Sequence, residues 1–218
     1  MKLYDAIGPH PSVVRMFIAE KGVEIPAEIL VLGIGHGRNA AHLARNPMGE
    51  APVLETDEGH HISEIVAICE YLEELFPEPC LIGTTPLERA ETRMWARRVD
   101  LHVCVPLYAG YRSNTQGLLR ASNGLPVPRD VEEPRLMASI ALDWVDQQLH
   151  GRDYLCGDRF SFADIMLYCF LIFGETSGQF LEPDWTALAA WRERVAARPS
   201  AESAGQVRVA PQSLGGTV

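Results

Sequence analysis

The sequence predicts a small α/β unit of order βαβαββα followed by an all-helical bundle. Three observations predict it. Over about the first eighty residues, short β-branched runs alternate with segments of helical period. The stretch Phe76 to Pro86 then gathers Pro77, Pro79, Gly83 and Pro86, which read as a break between domains. Beyond it, apolar residues recur at helical spacing only. The organisation is residues 1–79 as the α/β domain, 80–86 as linker, 87–205 as the helical domain and 206–218 as a loose tail.

Each element has a local reason. Lys2 to Asp5 alternates polar and apolar residues, as a short strand does. Val14, Phe17 and Ile18 recur at helical spacing up to Lys21-Gly22, where glycine ends the helix. Glu28 to Leu32 is β-branched and apolar and reads as a buried strand. His36 to Asn46 holds a short helix, closed by the turn Asn46-Pro47-Met48-Gly49. Pro52 to Thr56, the turn Asp57-Glu58-Gly59 and His60 to Ile62 form a hairpin. From Ser63 a helix carries Ile65, Ile68, Leu72 and Leu75 on one face and ends before Pro77.

In the second half, Leu87 to about Tyr111 reads as a long helix kinked at Pro106. Ser122 to Pro134 is a loop, Arg135 to His150 an amphipathic helix, and Trp185 to Ala197 the last helix, stopped by Pro199. Ser161 is placed to cap the helix after Gly157, with Asp164 reaching back to the cap and Phe160 and Ile165 as a hydrophobic staple. The residues from Ile165 to Phe173 are apolar on every face, so this helix is the buried centre of the bundle.

Composition narrows the function. The chain has 218 residues, 47% hydrophobic and 22% charged, which excludes wholesale disorder and fibrous repeats. Nineteen basic against 29 acidic side chains give a net charge of −10, a surface that repels phosphate backbones, so no nucleic-acid partner is expected. The run Ile165 to Phe173 is too short to span a bilayer, and the N-terminal segment lacks the apolar core of a secretory signal. Five cysteines, odd in number and without a CxxC, fit reduced thiols in the cytoplasm.

Three segments then carry a family resemblance. Asn46-Pro47-Met48-Gly49-Glu50-Ala51-Pro52-Val53-Leu54 is similar to an NP-x-G-x-x-P-x-L segment, Ile62 to Leu72 to an I-x-E-S-x-A-I-x-x-Y-L helix start, and Gly157 to Asp164 to a characteristic capping box. Together they resemble the cytosolic glutathione transferases. That resemblance implies a thioredoxin-like N-terminal domain, an all-helical C-terminal domain and a homodimer. It implies glutathione as co-substrate, with no metal and no nucleotide. The expected reaction is attack of the glutathione thiolate on a small apolar electrophile. The alternative is a glutathione-binding or interaction protein on the same scaffold with little catalysis, since fold does not fix function.

The resemblance also implies sites. Pro52 would follow a cis bond, letting Ala51 present its N–H and C=O to the cysteinyl part of glutathione as an added strand would. Ser63, Glu64 and Ile65 open a helix whose N-terminus would hold the γ-glutamyl carboxylate, although Ile65 stands where the family carries a hydroxyl, and capping alone also explains Ser63 and Glu64. Arg38, with His36 and Asn39 nearby, would reach the glycyl carboxylate.

The catalytic Ser or Cys position falls on Gly8. Ser12 is a candidate thiolate donor or a helix cap, and His10 a donor, a base or an exposed loop residue. Tyr4 reads as packed. Tyr108, Tyr111, Arg112 and His102, with Cys104 close in sequence, would line the electrophile pocket, or in part belong to the core or a dimer contact. Two other patterns are set aside: Gly33-Ile34-Gly35-His36-Gly37 lacks the downstream features of a nucleotide loop, and His60-His61 points to opposite faces of a strand.

Overall fold

The computed structural model describes residues 1–30, 39–114, 131–176, 178–179 and 181–205. The first half contains β1 (Lys2–Asp5), α1 (Pro9–Lys21), β2 (Ala27–Ile29), α2 (Ala40–Arg45), β3 (Val53–Glu55), β4 (His61–Ser63) and α3 (Ile65–Leu75). The order is the predicted βαβαββα. The sheet runs β2-β1-β3-β4, with β1 parallel to β2 and both other pairings antiparallel. One difference concerns β2. It covers Ala27–Ile29 rather than a buried run to Leu32, and Ala27 and Glu28 are exposed, because an edge strand has a neighbour on one side only. Residues 31–32 lie outside the described residues.

Helix α1 stands between the sheet and the bundle. Val13, Val14, Met16 and Phe17 are fully buried, and the helix packs on α3 and on two helices of the second half, Phe162–Thr176 and Ala201–Gly205. Gly22 ends it at φ 63°, the left-handed cap that glycine adopts without a Cβ clash.

The linker is not loose. The Glu73 carboxylate accepts from Leu81 N–H and Ile82 N–H, both at 2.9 Å, and pairs with the buried Lys21 ammonium, which also donates to the Pro79 carbonyl at 2.6 Å. Leu81 and Ile82 are thereby drawn into the core.

The helical half contains α4 (Pro86–Val99), α5 (Val105–Asn114), α6 (Glu132–Leu149), α7 (Phe162–Thr176), α8 (Thr186–Ala196) and α9 (Ala201–Gly205). A π-helical segment, Asp100–Cys104, joins α4 to α5, with the Val105 N–H bonded to the Asp100 carbonyl. The irregularity expected at Pro106 therefore falls in the turn before it. Proline has no N–H for the carbonyl four residues back and crowds it, and a wider turn there relieves the clash. Pro134 is inside the first turn of α6 rather than in a loop, where its missing N–H has no intrahelical acceptor to lose.

Helix α7 is the buried centre, with every residue from Phe162 to Leu171 buried. The Asp164 carboxylate, fully enclosed, gathers the elements around it. It accepts from Ser161 N–H (3.0 Å), Ser161 Oγ (2.8 Å), Leu155 N–H (2.9 Å) and Trp191 Nε1 (2.9 Å). Half of the expected capping box is present: Asp164 reaches back to Ser161 N–H, but the Ser161 hydroxyl donates to Asp164 instead of accepting from the helix. No helix among the described residues is long and apolar enough to cross a membrane.

Candidate functional site

The strand register brings the N-terminal candidates to one end of the sheet. Tyr4 pairs with Val53, and Val53 with Ser63. The chain leaving β1 towards Gly8, the chain entering β3 through Ala51 and Pro52, and the chain leaving β4 through Glu64 therefore meet at the same end of the sheet. The Ala51–Pro52 bond is cis, as the resemblance implies, with Pro52 buried and Ala51 half-buried. The loop before it is tied down by Asn46, whose Nδ2 donates to the Glu50 carbonyl at 2.8 Å while its Oδ1 accepts from Met48 N–H at 3.0 Å. His42 Nε2 lies 3.2 Å from the same Glu50 carbonyl. Sequence reasoning missed His42, which reads there as one more helix residue.

Glu64 is the N-cap of α3 at φ 71°, the one non-glycine residue with positive φ among those described. Its side chain is exposed and makes no capping bond. Strain of this kind persists where surrounding structure or function requires it. The Ile65 side chain enters the core, so position 65 offers the site its backbone N–H. Ser63 is the last residue of β4 and does not cap the helix. Arg38 and His36 lie outside the described residues, and Asn39 caps α2 by accepting from His42 N–H at 2.8 Å.

The N-terminus of α1 is built on Gly8 at φ 149°, a conformation a Cβ would strain. Of the first three helical residues, Pro9 and Pro11 have no N–H, so His10 supplies the only backbone donor of that turn. Ser12 takes another role than the one expected of it. Its hydroxyl donates to the Gly8 carbonyl at 2.9 Å and accepts from Arg15 Nη2 at 2.8 Å, so its one proton is already engaged and it is neither cap nor free donor. Tyr4 is packed, its hydroxyl donating to Glu55 at 2.6 Å under the Arg45 guanidinium.

His10 joins the two halves of the molecule. Its ring meets Tyr108 edge-on at 5.1 Å and Phe170 at 4.9 Å. The residue keeps partial exposure, yet this enclosure pushes its pKa from 6.5 down to about 4, so the imidazole is neutral at pH 7 and cannot serve there as a cationic donor. Tyr108 and Tyr111 stack at 6.2 Å, Tyr111 meets Phe173 at 4.7 Å, and Arg112 lies 5.9 Å from the Tyr108 ring. Burial raises the Tyr108 phenol, so it remains a neutral O–H donor. Phe170 and Phe173 were missed because an all-apolar helix reads as core throughout.

His102 stands apart. It is exposed on the π-helical segment and lines a cavity of about 510 Å³ with Arg98, Met137, Ile140, Ala141 and Trp144. Six residues along a helix turn about 240°, which carries His102 away from the face of Tyr108. Cys104 is buried, and that burial pushes its thiol well above the usual range. Among the described residues, no three His, Cys, Asp or Glu side chains group as metal ligands.

Comparison with known proteins identifies the family of this fold. Residues 7–75 match the family model described as the glutathione S-transferase N-terminal domain, and residues 131–199 the one for the C-terminal domain. The chain is 32% identical to glutathione S-transferase 2 of Saccharomyces cerevisiae over 95% of its own length and 91% of the relative's. It is 34% identical to the maleylacetoacetate isomerase of Pseudomonas aeruginosa, covering 92% and 93% of the two chains. The crystal structure of Gtt2 from Saccharomyces cerevisiae superposes with a TM-score of 0.87 at 33% identity, over 94% of this chain and all of that one.

Proposed function

The chain belongs to the glutathione S-transferase family, and from that premise we propose that it binds glutathione at this end of the sheet and adds the thiolate to a small aromatic electrophile. One observation carries the reading: Gly8, Ala51–Pro52 and Glu64 converge at a single sheet end, and His10 reaches from there to the aromatic wall of the other half.

The cysteinyl backbone of glutathione pairs with Ala51 as an added strand. The γ-glutamyl carboxylate meets the N–H groups of Ile65 and Val66 at the positive end of α3. The sulfur then lies at the N-terminus of α1. With no side chain at Gly8 and the Ser12 hydroxyl engaged, the charge is met by the His10 N–H and the helix dipole. A helix N-terminus contributes roughly 0.3–2 kcal/mol to an anion, which brings a thiol of pKa about 8.5 down towards 7. Neutral His10 is too weak a base to hold the proton, which leaves to water. The electrophile stacks on Tyr108, Tyr111 and Phe173, and holding it beside the thiolate supplies the rest of the acceleration.

Two further proposals complete the reading. The chain acts in the cytoplasm in detoxifying chemistry, and it works as a homodimer. For the dimer, the support is an exposed apolar stripe on α6, where Leu136, Met137 and Ile140 are each more than half exposed. A second functional reading, binding without turnover, is favoured by the absence of any side-chain donor at Gly8. Calorimetric titration with glutathione followed by assay with a chloronitrobenzene separates the two. Micromolar to millimolar binding with turnover is expected. Binding without turnover leaves the second reading, and no binding at millimolar glutathione overturns both.

A further inference from the structure

One guanidinium grips both flanks of the segment that carries the α1 N-terminus. Arg15 Nη1 donates to Asp5 Oδ1 at 2.7 Å and to the Ala6 carbonyl at 3.2 Å. Nη2 donates to Ser12 Oγ at 2.8 Å, and Ser12 Oγ in turn donates to the Gly8 carbonyl at 2.9 Å. Nε donates to the Ser203 carbonyl of α9 at 3.1 Å. The Asp5 carboxylate also accepts from Ala6 N–H at 2.8 Å, so residue 6 is held through both its N–H and its C=O.

We infer that Arg15 is a positioning residue for the thiolate site: its fork fixes the Ala6 and Gly8 carbonyls and thereby aims the His10 N–H at the glutathione sulfur. The inference rests on the functional reading above, in which the sulfur meets this helix end.

The physical case is one of freedom removed. Between the two pinned carbonyls stands only Ile7, 83% exposed and without core packing to hold it. Gly8 has no Cβ to restrict its dihedrals. The Ser12 N–H holds the Gly8 carbonyl from the helix side at 3.2 Å, but without the fork Ile7 and the Gly8 dihedrals keep their freedom, whereas a donor to a thiolate must be placed to within a fraction of an ångström. A planar fork satisfies several acceptors in one fixed geometry, which a lysine ammonium on a flexible stem cannot do. The fourth contact extends the device to the C-terminal helix. Segment 198–203 also clamps α1 further along, through the Arg198 guanidinium bidentate to Glu20, both contacts at 2.7 Å. Arg15 itself lies behind the helix end, so it acts through Ser12 and the backbone rather than on the sulfur.

The test uses Arg15→Lys and Ser12→Ala in the full chain. Ser12→Ala leaves the Arg15–Asp5 pair and the Ser12 N–H bond to the Gly8 carbonyl intact and removes the hydroxyl that joins Arg15 to Gly8, so it serves if Arg15→Lys folds poorly. Three quantities are read: thermal midpoint, glutathione affinity by calorimetry, and the thiol pKa of bound glutathione from the ultraviolet absorbance of its thiolate against pH. For both variants the bound thiol pKa is expected to rise by about one unit and kcat near neutral pH to fall roughly fivefold, with affinity within about threefold of wild type. Variants that lose thermal stability but keep the wild-type thiol pKa and kcat overturn the inference. So does a fall in affinity that accounts for the whole loss of rate. A wild-type protein that binds glutathione without lowering its thiol pKa overturns the functional reading instead, and the two failures are thus distinct.

Discussion

The neutrality of His10 makes a prediction that can be worked through. The imidazole is wedged edge-on between Tyr108 and Phe170, and its pKa falls from 6.5 to about 4. In the window between those values the unfolded chain binds a proton that the folded chain refuses, so stability falls as the pH drops from about 6.5 towards 4. The linkage relation gives a contribution of about 2 kcal/mol at pH 5 and about 0.2 kcal/mol at pH 7. The difference, close to 2 kcal/mol, is an upper figure because the ring keeps some contact with solvent. His10→Gln removes the titration and keeps a polar group of similar length. Urea unfolding of both proteins at pH 7 and pH 5 isolates the effect, since every other carboxylate and histidine is common to the two. The wild type is expected to lose about 1–2 kcal/mol more than the variant between these conditions. Equal losses would refute the reasoning, and with it the exclusion of a cationic His10 from thiolate stabilisation.

Two other predictions concern single positions. Gly8→Ser places a hydroxyl where the family resemblance implies a catalytic one, yet φ 149° strains any Cβ there. A stability loss of about 1–2 kcal/mol with lower, not higher, conjugation activity is expected from thermal unfolding and a chloronitrobenzene assay. Asp164→Ala strands four buried donors, Ser161 N–H, Ser161 Oγ–H, Leu155 N–H and Trp191 Nε1–H. Urea unfolding should show a loss of about 3–5 kcal/mol, and a loss below about 1 kcal/mol would contradict the assigned network.

Much of the fold was legible because local signals agreed with the tertiary outcome. Gly22 ends α1 where a left-handed residue was expected, Asp57-Glu58-Gly59 turns the hairpin, and the all-apolar run from Ile165 became the bundle centre. The misses share a cause: each was settled by what packs alongside. The length and exposure of β2 follow from its place at the sheet edge, the π-helical segment from a clash one turn ahead of Pro106, and the roles of Ser12 and Ser161 from stronger hydrogen-bond partners than the helix ends they were expected to cap.

The division of labour at the site is similar. By itself the sequence determined the order of elements, the turn before Pro52, the helix start at Glu64 and the lack of a side chain at Gly8, because those are properties of short segments. Only the tertiary structure decided that these segments share one sheet end, that Glu64 takes φ 71°, that His10 is enclosed by Tyr108 and Phe170 while His102 faces elsewhere, and that Arg15 ties β1, α1 and α9 together. The physical reason is range. Dihedral preference and capping act over a few residues, whereas burial, register and a shared guanidinium depend on parts of the chain that meet only after folding.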